Sequence, residues 1–220
     1  MTVMRLHVEA LFTHDADGQM VCVNEPNGAP APRCFVGMTC EGALVRYRHD
    51  LGHDIRRELE AVLGDGSPID PSRFEDILSR SAPIHRTWAG PVFIFPQQLR
   101  TGNGTVLVTE SNAHVLRPHL EAWIPDVYVN QPLFALIVDD HAAAVCCSGR
   151  RTSMADQAAV ETAPLYRGRG YAPQVVSSWA QAVRDMGRVA IYSTSWSNEA
   201  SRAVARKLAL IHFGDDFHIT

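Results

Sequence analysis

Apolar and polar positions along this chain change rhythm near its middle. In the first hundred residues, short apolar runs alternate with turn chemistry: LHVEALF (6–12), HDADGQ, MVCVN (20–24), the loop EPNGAPAP, RCFVGMT (33–39), then CEG and ALVRYR (43–48). Such runs, punctuated by Gly, Pro, Asn and Asp, predict strands of a small antiparallel meander. Two short helices follow. One covers residues 53–63 and ends in Gly64; the other is opened by Asp70 as N-cap with Pro71 at the first helical position, and runs to about Arg80. SAPIHRTWAGP (81–91) reads as loop, and the apolar run inside GPVFIFPQQLRTGNG closes this half, which sets a lobe boundary near residues 99–104. The organisation predicted is an N-terminal α+β lobe over 1–100 and a second domain over 101–220.

The second half has a different grammar. TVLVTE is a strand, Ser111 or Asn112 caps a helix to about Trp123, and FALIVDD, HAAAVCCSG and DQAAVETAP are successive strands, the first two joined at Asp139-Asp140-His141. Next comes a helix with Val175, Val176, Trp179, Ala180 and Val183 at helical spacing, then the strand RVAIYSTSW. A second helix carries Ala200, Ala203, Val204, Lys207 and Leu208, and FGDDFHIT ends the sequence. Strand-helix alternation of this kind implies an α/β (α+β) layout around a mixed sheet.

Composition narrows the class without naming a function. With 220 residues, 46% hydrophobic and 20% charged, the chain has enough apolar material for its own core. No apolar run reaches the roughly 20 residues of a membrane span, and charges interrupt the N-terminal apolar stretch, so the expectation is a cytoplasmic protein with no membrane partner. Five cysteines without a CxxC pattern read as reduced thiols rather than a disulfide framework or zinc ribbon. A net charge of -4 offers no basic surface for nucleic acid.

Candidate chemistry concentrates at ETAPLYRGRGYAPQ, where a strand ends at Pro164 and a helix starts near Tyr171. The turn Arg167-Gly168-Arg169-Gly170-Tyr171-Ala172 leaves backbone N–H groups unpaired at a helix N-terminus, where the dipole adds partial positive charge. Glycines let a pyrophosphate approach closely, the arginines add charge, and Pro173 sacrifices an N–H that would have been free anyway. A lysine-containing Walker loop is absent, and a dinucleotide fingerprint needs a glycine where Pro173 stands.

At these residues the sequence resembles the GNAT superfamily of acyl-CoA-dependent N-acetyltransferases, whose pyrophosphate loop is [Q/R]-x-x-G-x-[G/A]. Arg167, Gly170 and Ala172 occupy its fixed places, and Thr162 and Pro164 stand where that family often has V-x-P. NEASRAVARKLAL (198–210) is similar to the family's second signature, one helix and one strand downstream, so the resemblance covers residues 104–220. It implies a mixed, mainly antiparallel sheet flanked by helices, with the strands DQAAVETAP and RVAIYSTSW splayed to admit pantetheine. Acetyl-CoA is then the cosubstrate, with no metal. Its pantetheine amides pair with backbone between Val160 and Thr162, its pyrophosphate sits on Arg167, Gly168, Arg169, Gly170, Tyr171 and Ala172, Asn198 bonds the pantetheine arm, and Lys207 is a candidate for the 3′-phosphate.

An amine attacking a thioester must be neutral, so one base is the main requirement. Glu161, on the strand beside the expected thioester, is the candidate, either directly or through a water; it could instead point away and serve a structural network. Where many family members have a tyrosine that protonates departing CoA, this chain has Ala205. Ser201 and Tyr192 are the alternative donors, or no acid is used, since a thiol of pKa about 8.5 leaves tolerably as thiolate. The acceptor expected is a primary amine on a small molecule, with the N-terminal lobe shaping its site and a homodimer left open. Rival readings are a non-catalytic acyl-CoA sensor, supported by Ala205, and a nucleotide-binding domain using the same loop.

Other residues carry blander expectations. Cys146 and Cys147 read as buried structural thiols. The cluster HDLGHD, with His49, Asp50, His53 and Asp54, reads as a turn and helix start rather than a metal site. His212 and His218 are ordinary satisfied histidines, and Trp88 and Trp123 are core-packing residues before they are pocket walls.

Overall fold

The structure is a computed structural model and describes residues 2–26, 28–64, 67–99 and 102–220. The chain forms two compact units, one of residues 1–91 with 214–220 and one of residues 92–213. The lobe boundary read from sequence near 99–104 includes Arg100 and Thr101, which lie outside the described residues. The division falls earlier, between Pro91 and Val92, and the last seven residues, Gly214–Thr220, return to the first unit. Sequence reasoning missed that return because a C-terminal strand names no partner in its own residues.

In the first unit, α1 (Thr2–Leu11) corrects the strand expected over residues 6–12. Met4, His7, Val8 and Leu11 are buried at helical spacing, and this periodicity overrides the short alternating run. A hairpin of β1 (Phe12–His14) and β2 (Met20–Val23) follows, then β3 (Cys34–Thr39) and β4 (Gly42–Tyr47), paired antiparallel. Helix α2 (His53–Gly64) and helix α3 (Pro71–Ser79) form where expected; Asp70 caps α3 by accepting from Ser72 N at 3.0 Å. Residues 81–91 are not all loop, because β5 (Thr87–Ile94) begins within them. The final strand β11 (Ile211–Ile219) pairs antiparallel with β3 from Gly214↔Thr39 to Ile219↔Cys34. Phe74, Leu78, Phe217 and Ile219 lie at the centre of this unit's core. Asp216 is buried beside His7 Nε2 at 3.3 Å and His218 Nδ1 at 3.6 Å. Burial pushes its carboxyl up, but the two imidazoles, His7 at hydrogen-bond distance and His218 just beyond it, outweigh that and hold it below its ordinary value.

The second unit is a sheet in the order β5-β10-β9-β8-β7-β6, of β6 (Thr105–Leu107), β7 (Leu133–Val138), β8 (His141–Arg151), β9 (Ala155–Thr162) and β10 (Val189–Ser193) with the last residues of β5. Only β9 and β10 run parallel among the neighbours whose register is defined, so the sheet is mixed and mainly antiparallel. Asp139 and Asp140 make the β7–β8 turn with φ of 50° and 64°, a left-handed conformation that Asp tolerates. Helix α5 (Tyr171–Asp185) buries Val175, Val176, Trp179, Ala180 and Val183 against one face of this sheet, and α6 (Glu199–Lys207) adds Val204 and Ala205 to the same core.

The opposite face is covered by residues 110–129. A single helix from residue 111 or 112 to Trp123 was expected; instead there are 3-10 turns at Glu110–Leu116 and Glu121–Trp123, then a short helix α4 (Asp126–Val129). Thr109 is the N-cap, its N–H donating to Asn112 Oδ1 at 2.7 Å. Pro118 breaks the run: it has no N–H to donate and forces Arg117 into extended backbone at φ -88°, ψ 150°.

Candidate acyl-CoA site

β9 changes partners along its length, and the site follows from that change. Its first residues pair with β10 at Val189↔Ala155, Ala190↔Asp156 and Ile191↔Gln157, and there the pairing stops. From Ala158 to Thr162, β9 keeps only β8 on its other side, down to Ala144↔Thr162. A register shift between Ser148 and Arg150 marks a bulge at the point of divergence. A Cβ built on Gly149 would lie 2.7 Å from that of Ala159, so glycine is what lets the two strands approach there. The opened edge of β9 therefore presents backbone N–H and C=O groups to which an extended ligand can pair, Thr162 O among them accepting from a side chain, Arg167 Nε.

The opening leads into a cleft of about 460 Å3. Its walls are Val160, Glu161 and Thr162 of β9, the turn from Tyr166 to Pro173 except Arg169, Tyr192 of β10, and the face of α6 from Asn198 to Lys207. At its far end Gly168 and Gly170 both have φ of 79°, the left-handed region that costs glycine nothing, and Gly170 is the N-cap of α5. The first N–H groups of α5 have no intrahelical acceptor and face the same end, where the helix dipole is positive. A Cβ on Gly170 would lie 4.0 Å from Lys207 Nζ, so α6 brings an ammonium to that helix start.

Most residues singled out in the sequence meet here, with details that sequence did not supply. Arg167 is exposed at the rim, its Nε donating to Thr162 O at 3.2 Å. Arg169 is not among the lining residues; its guanidinium lies over the Tyr166 ring, 5.4 Å from the centroid. Asn198 caps α6, its Oδ1 accepting from Ser201 N at 3.0 Å, which leaves the amide nitrogen as its donor toward the cleft. Tyr192 is buried and its hydroxyl lies 2.7 Å from Ser201 Oγ. Burial pushes its pKa up to about 12, against a smaller pull from Ser201, so the phenol is protonated at neutral pH. Ala205 is buried in the core.

Glu161 lies on the sheet face away from α5. Ala158, Val160 and Cys146 pack with α5, whereas Ala159, Val145 and Cys147 join the core under residues 110–129, and Glu161 alternates with the second set. Its Oε2 accepts a hydrogen bond from Trp123 Nε1 at 2.5 Å. This partner was missed: Trp123 was read as core packing, and nothing local links it to a residue on β9.

Other candidates fall outside the cleft. Cys146 and Cys147 are buried in β8, and burial pushes both thiols up, which keeps them protonated. Asp50 and Asp54 are paired with Arg48 and Arg57. No group of three His, Cys, Asp or Glu able to hold a metal occurs among the described residues. His212 packs against Phe93, and His218 stacks on Trp88 in the first unit.

At the other end of β9, Asp156 is fully buried, accepting from Ser148 Oγ at 2.5 Å and paired with Arg188 Nε at 3.1 Å. Ser148 Oγ in turn accepts from Trp179 Nε1 at 3.0 Å, tying α5 to the paired part of the sheet.

No family profile and no curated protein matches this sequence. Solved structures do. A GCN5-related N-acetyltransferase-like protein from Streptococcus suis aligns over 100% of both chains at 12% identity with a TM-score of 0.53. A protein assigned to the GNAT acetyltransferase family from Novosphingobium aromaticivorans aligns over 62% of this chain and 65% of its own, just under two thirds of its length, at 17% identity and a TM-score of 0.51. At such identities the likeness is one of fold, and the fold of this chain is the GNAT fold: a mixed, mainly antiparallel sheet flanked by helices.

Proposed function

We propose that the protein is an N-acetyltransferase that moves the acetyl group of acetyl-CoA to a primary amine of a small molecule, by direct attack in a ternary complex. The observation that carries this reading is the parting of β9 from β10 after Gln157 and Ile191, at the mouth of a cleft that ends on the α5 N-terminus and Lys207. A pantetheine arm is an extended chain with two amides. The edge of β9 from Val160 to Thr162, where Thr162 O already accepts from Arg167 Nε, meets those amides as a neighbouring strand would, with the Asn198 amide as a further donor. The pyrophosphate fits on the backbone of Gly168, Gly170, Tyr171 and Ala172, and Arg167 and Lys207 supply cations for the remaining phosphate. A cleft of about 460 Å3 is large enough to bury the arm.

In this arrangement the thioester lies near Glu161. Its carboxylate takes a proton from the bound ammonium, directly or through a water, and the neutral amine then bonds to the carbonyl carbon, its second N–H proton leaving as the tetrahedral adduct collapses. The C–S bond then breaks and the electron pair leaves on sulfur. Tyr192, with Ser201 beside it, is the available proton donor to that thiolate; it stands in the cleft where Ala205 cannot serve.

Calorimetric titration with acetyl-CoA, CoA, ATP and NAD, followed by thiol release against a panel of amines, tests the reading. Micromolar acetyl-CoA binding with thiol release on one amine class supports it. Tight ATP or NAD binding without CoA binding refutes it in favour of a nucleotide site. Ala205 favours a second reading, a non-catalytic acyl-CoA sensor. That reading requires tight acetyl-CoA binding with no thiol release on any amine.

A further inference from the structure

We infer that Trp123 is a positioning residue for Glu161, so that the covering segment 110–129 shares control of the base with β9; this rests on the reading of Glu161 as the base. Indole carries one donor and no acceptor, so the 2.5 Å contact has a single polarity, with Trp123 Nε1–H donating to Glu161 Oε2. A donor of that kind fixes the plane and orientation of the group. Oε1 is left as the oxygen without this donor, on a residue that lines the cleft.

Trp123 is itself held in place. Its backbone N–H donates to Leu120 O at 3.0 Å, and its ring packs with the core built from Leu116, Leu120, Val127 and Val145. A rigid ring anchored in that core limits the rotamers of a glutamate that would otherwise sweep the open edge of β9. Pre-organising a base in this way raises the fraction of encounters with proton-transfer geometry and leaves cofactor contacts untouched. The effect therefore belongs in kcat, and not in the KM for acetyl-CoA.

Two measurements on the full chain decide it. In the assigned 15N spectrum, the Trp123 indole N–H resonance of the wild-type protein should move in Glu161→Ala, which removes the acceptor, and stay near its wild-type position in Glu161→Gln, which keeps an oxygen there. Trp123→Phe, which keeps a ring and removes the donor, should lower kcat about tenfold with the acetyl-CoA KM unchanged. A resonance unmoved by Glu161→Ala overturns the inference whether or not Trp123→Phe folds well. An unchanged kcat in Trp123→Phe, even with a lowered melting temperature, overturns it too and marks the tryptophan as packing only. Unimpaired turnover by Glu161→Gln removes the base assignment itself and this inference with it, which separates the two failures.

Discussion

The two ends of β9 carry two carboxylates with opposite fates. At the paired end Asp156 is sealed between β8 and β10, accepting from Ser148 and facing Arg188, with no exposure. At the open end Glu161 sits on a strand edge without β10, half-buried on a cleft wall with one indole donor. The residues between them are the buried Gln157 and the small or apolar Ala158, Ala159 and Val160, none of them charged, so the difference does not come from a neighbouring charge in the sequence. It comes from whether the neighbouring strand is present. Where the ladder is complete, polar groups are consumed in holding the sheet; where it stops, backbone and side chain become available to a ligand.

The largest expected effect is at the open end. Glu161→Gln should lower turnover by about a hundredfold or more while acetyl-CoA affinity and melting temperature hold, as read by thiol release, calorimetry and thermal denaturation. Asp156→Ala should do the reverse. It strands Arg188 and Ser148 without their buried acceptor and should cost about 3 kcal/mol in chemical denaturation, with acetyl-CoA affinity of the folded fraction retained. A large loss of turnover without loss of stability in that variant would erase the distinction between the two ends.

Lys207→Ala removes the ammonium beside Gly170 and should weaken acetyl-CoA binding about tenfold, with a shallower salt dependence of Kd. Tyr192→Phe should have a smaller effect, on kcat alone, because the thiolate leaves partly unaided.

The smallest effect is a slope. Burial pushes the Asp156 carboxyl above its ordinary value, against smaller pulls from Ser148 and Arg188. A carboxyl raised on folding contributes stability that is full below the unfolded value of about 3.9 and is lost as pH rises through the folded value. Asp156→Asn should flatten that fall in denaturation midpoints measured above about pH 4.

Legibility in the sequence followed the range of the interactions. The glycine turn ahead of α5 was readable because φ near +79° at Gly168 and Gly170, and the start of α5 behind them, are set by adjacent residues. Asn198 was singled out only through the resemblance, and its place as the N-cap of α6, bonded to Ser201 N, was not anticipated. Helices α2 and α3 and most strands of the second unit also formed where the periodicity put them. Residues 6–12 were misread because a short run fits both periods, and burial of Met4, His7, Val8 and Leu11 together selects the helix. The broken helix before Trp123 was foreseeable in part, since Pro118 is visible in the sequence.

By itself, then, the sequence determined the turn that presents backbone N–H groups, the amphipathic helix behind it and the spacing of α6 after it. Their causes are steric and nearest-neighbour: glycine's freedom, proline's missing donor, and one apolar stripe. Only the tertiary structure decided that β9 parts from β10 at Gln157, that Gly214–Thr220 joins the first unit, and that Trp123 meets Glu161. Strand neighbours and side-chain contacts between distant residues depend on which surfaces the whole chain buries together, and no local window of residues contains that choice.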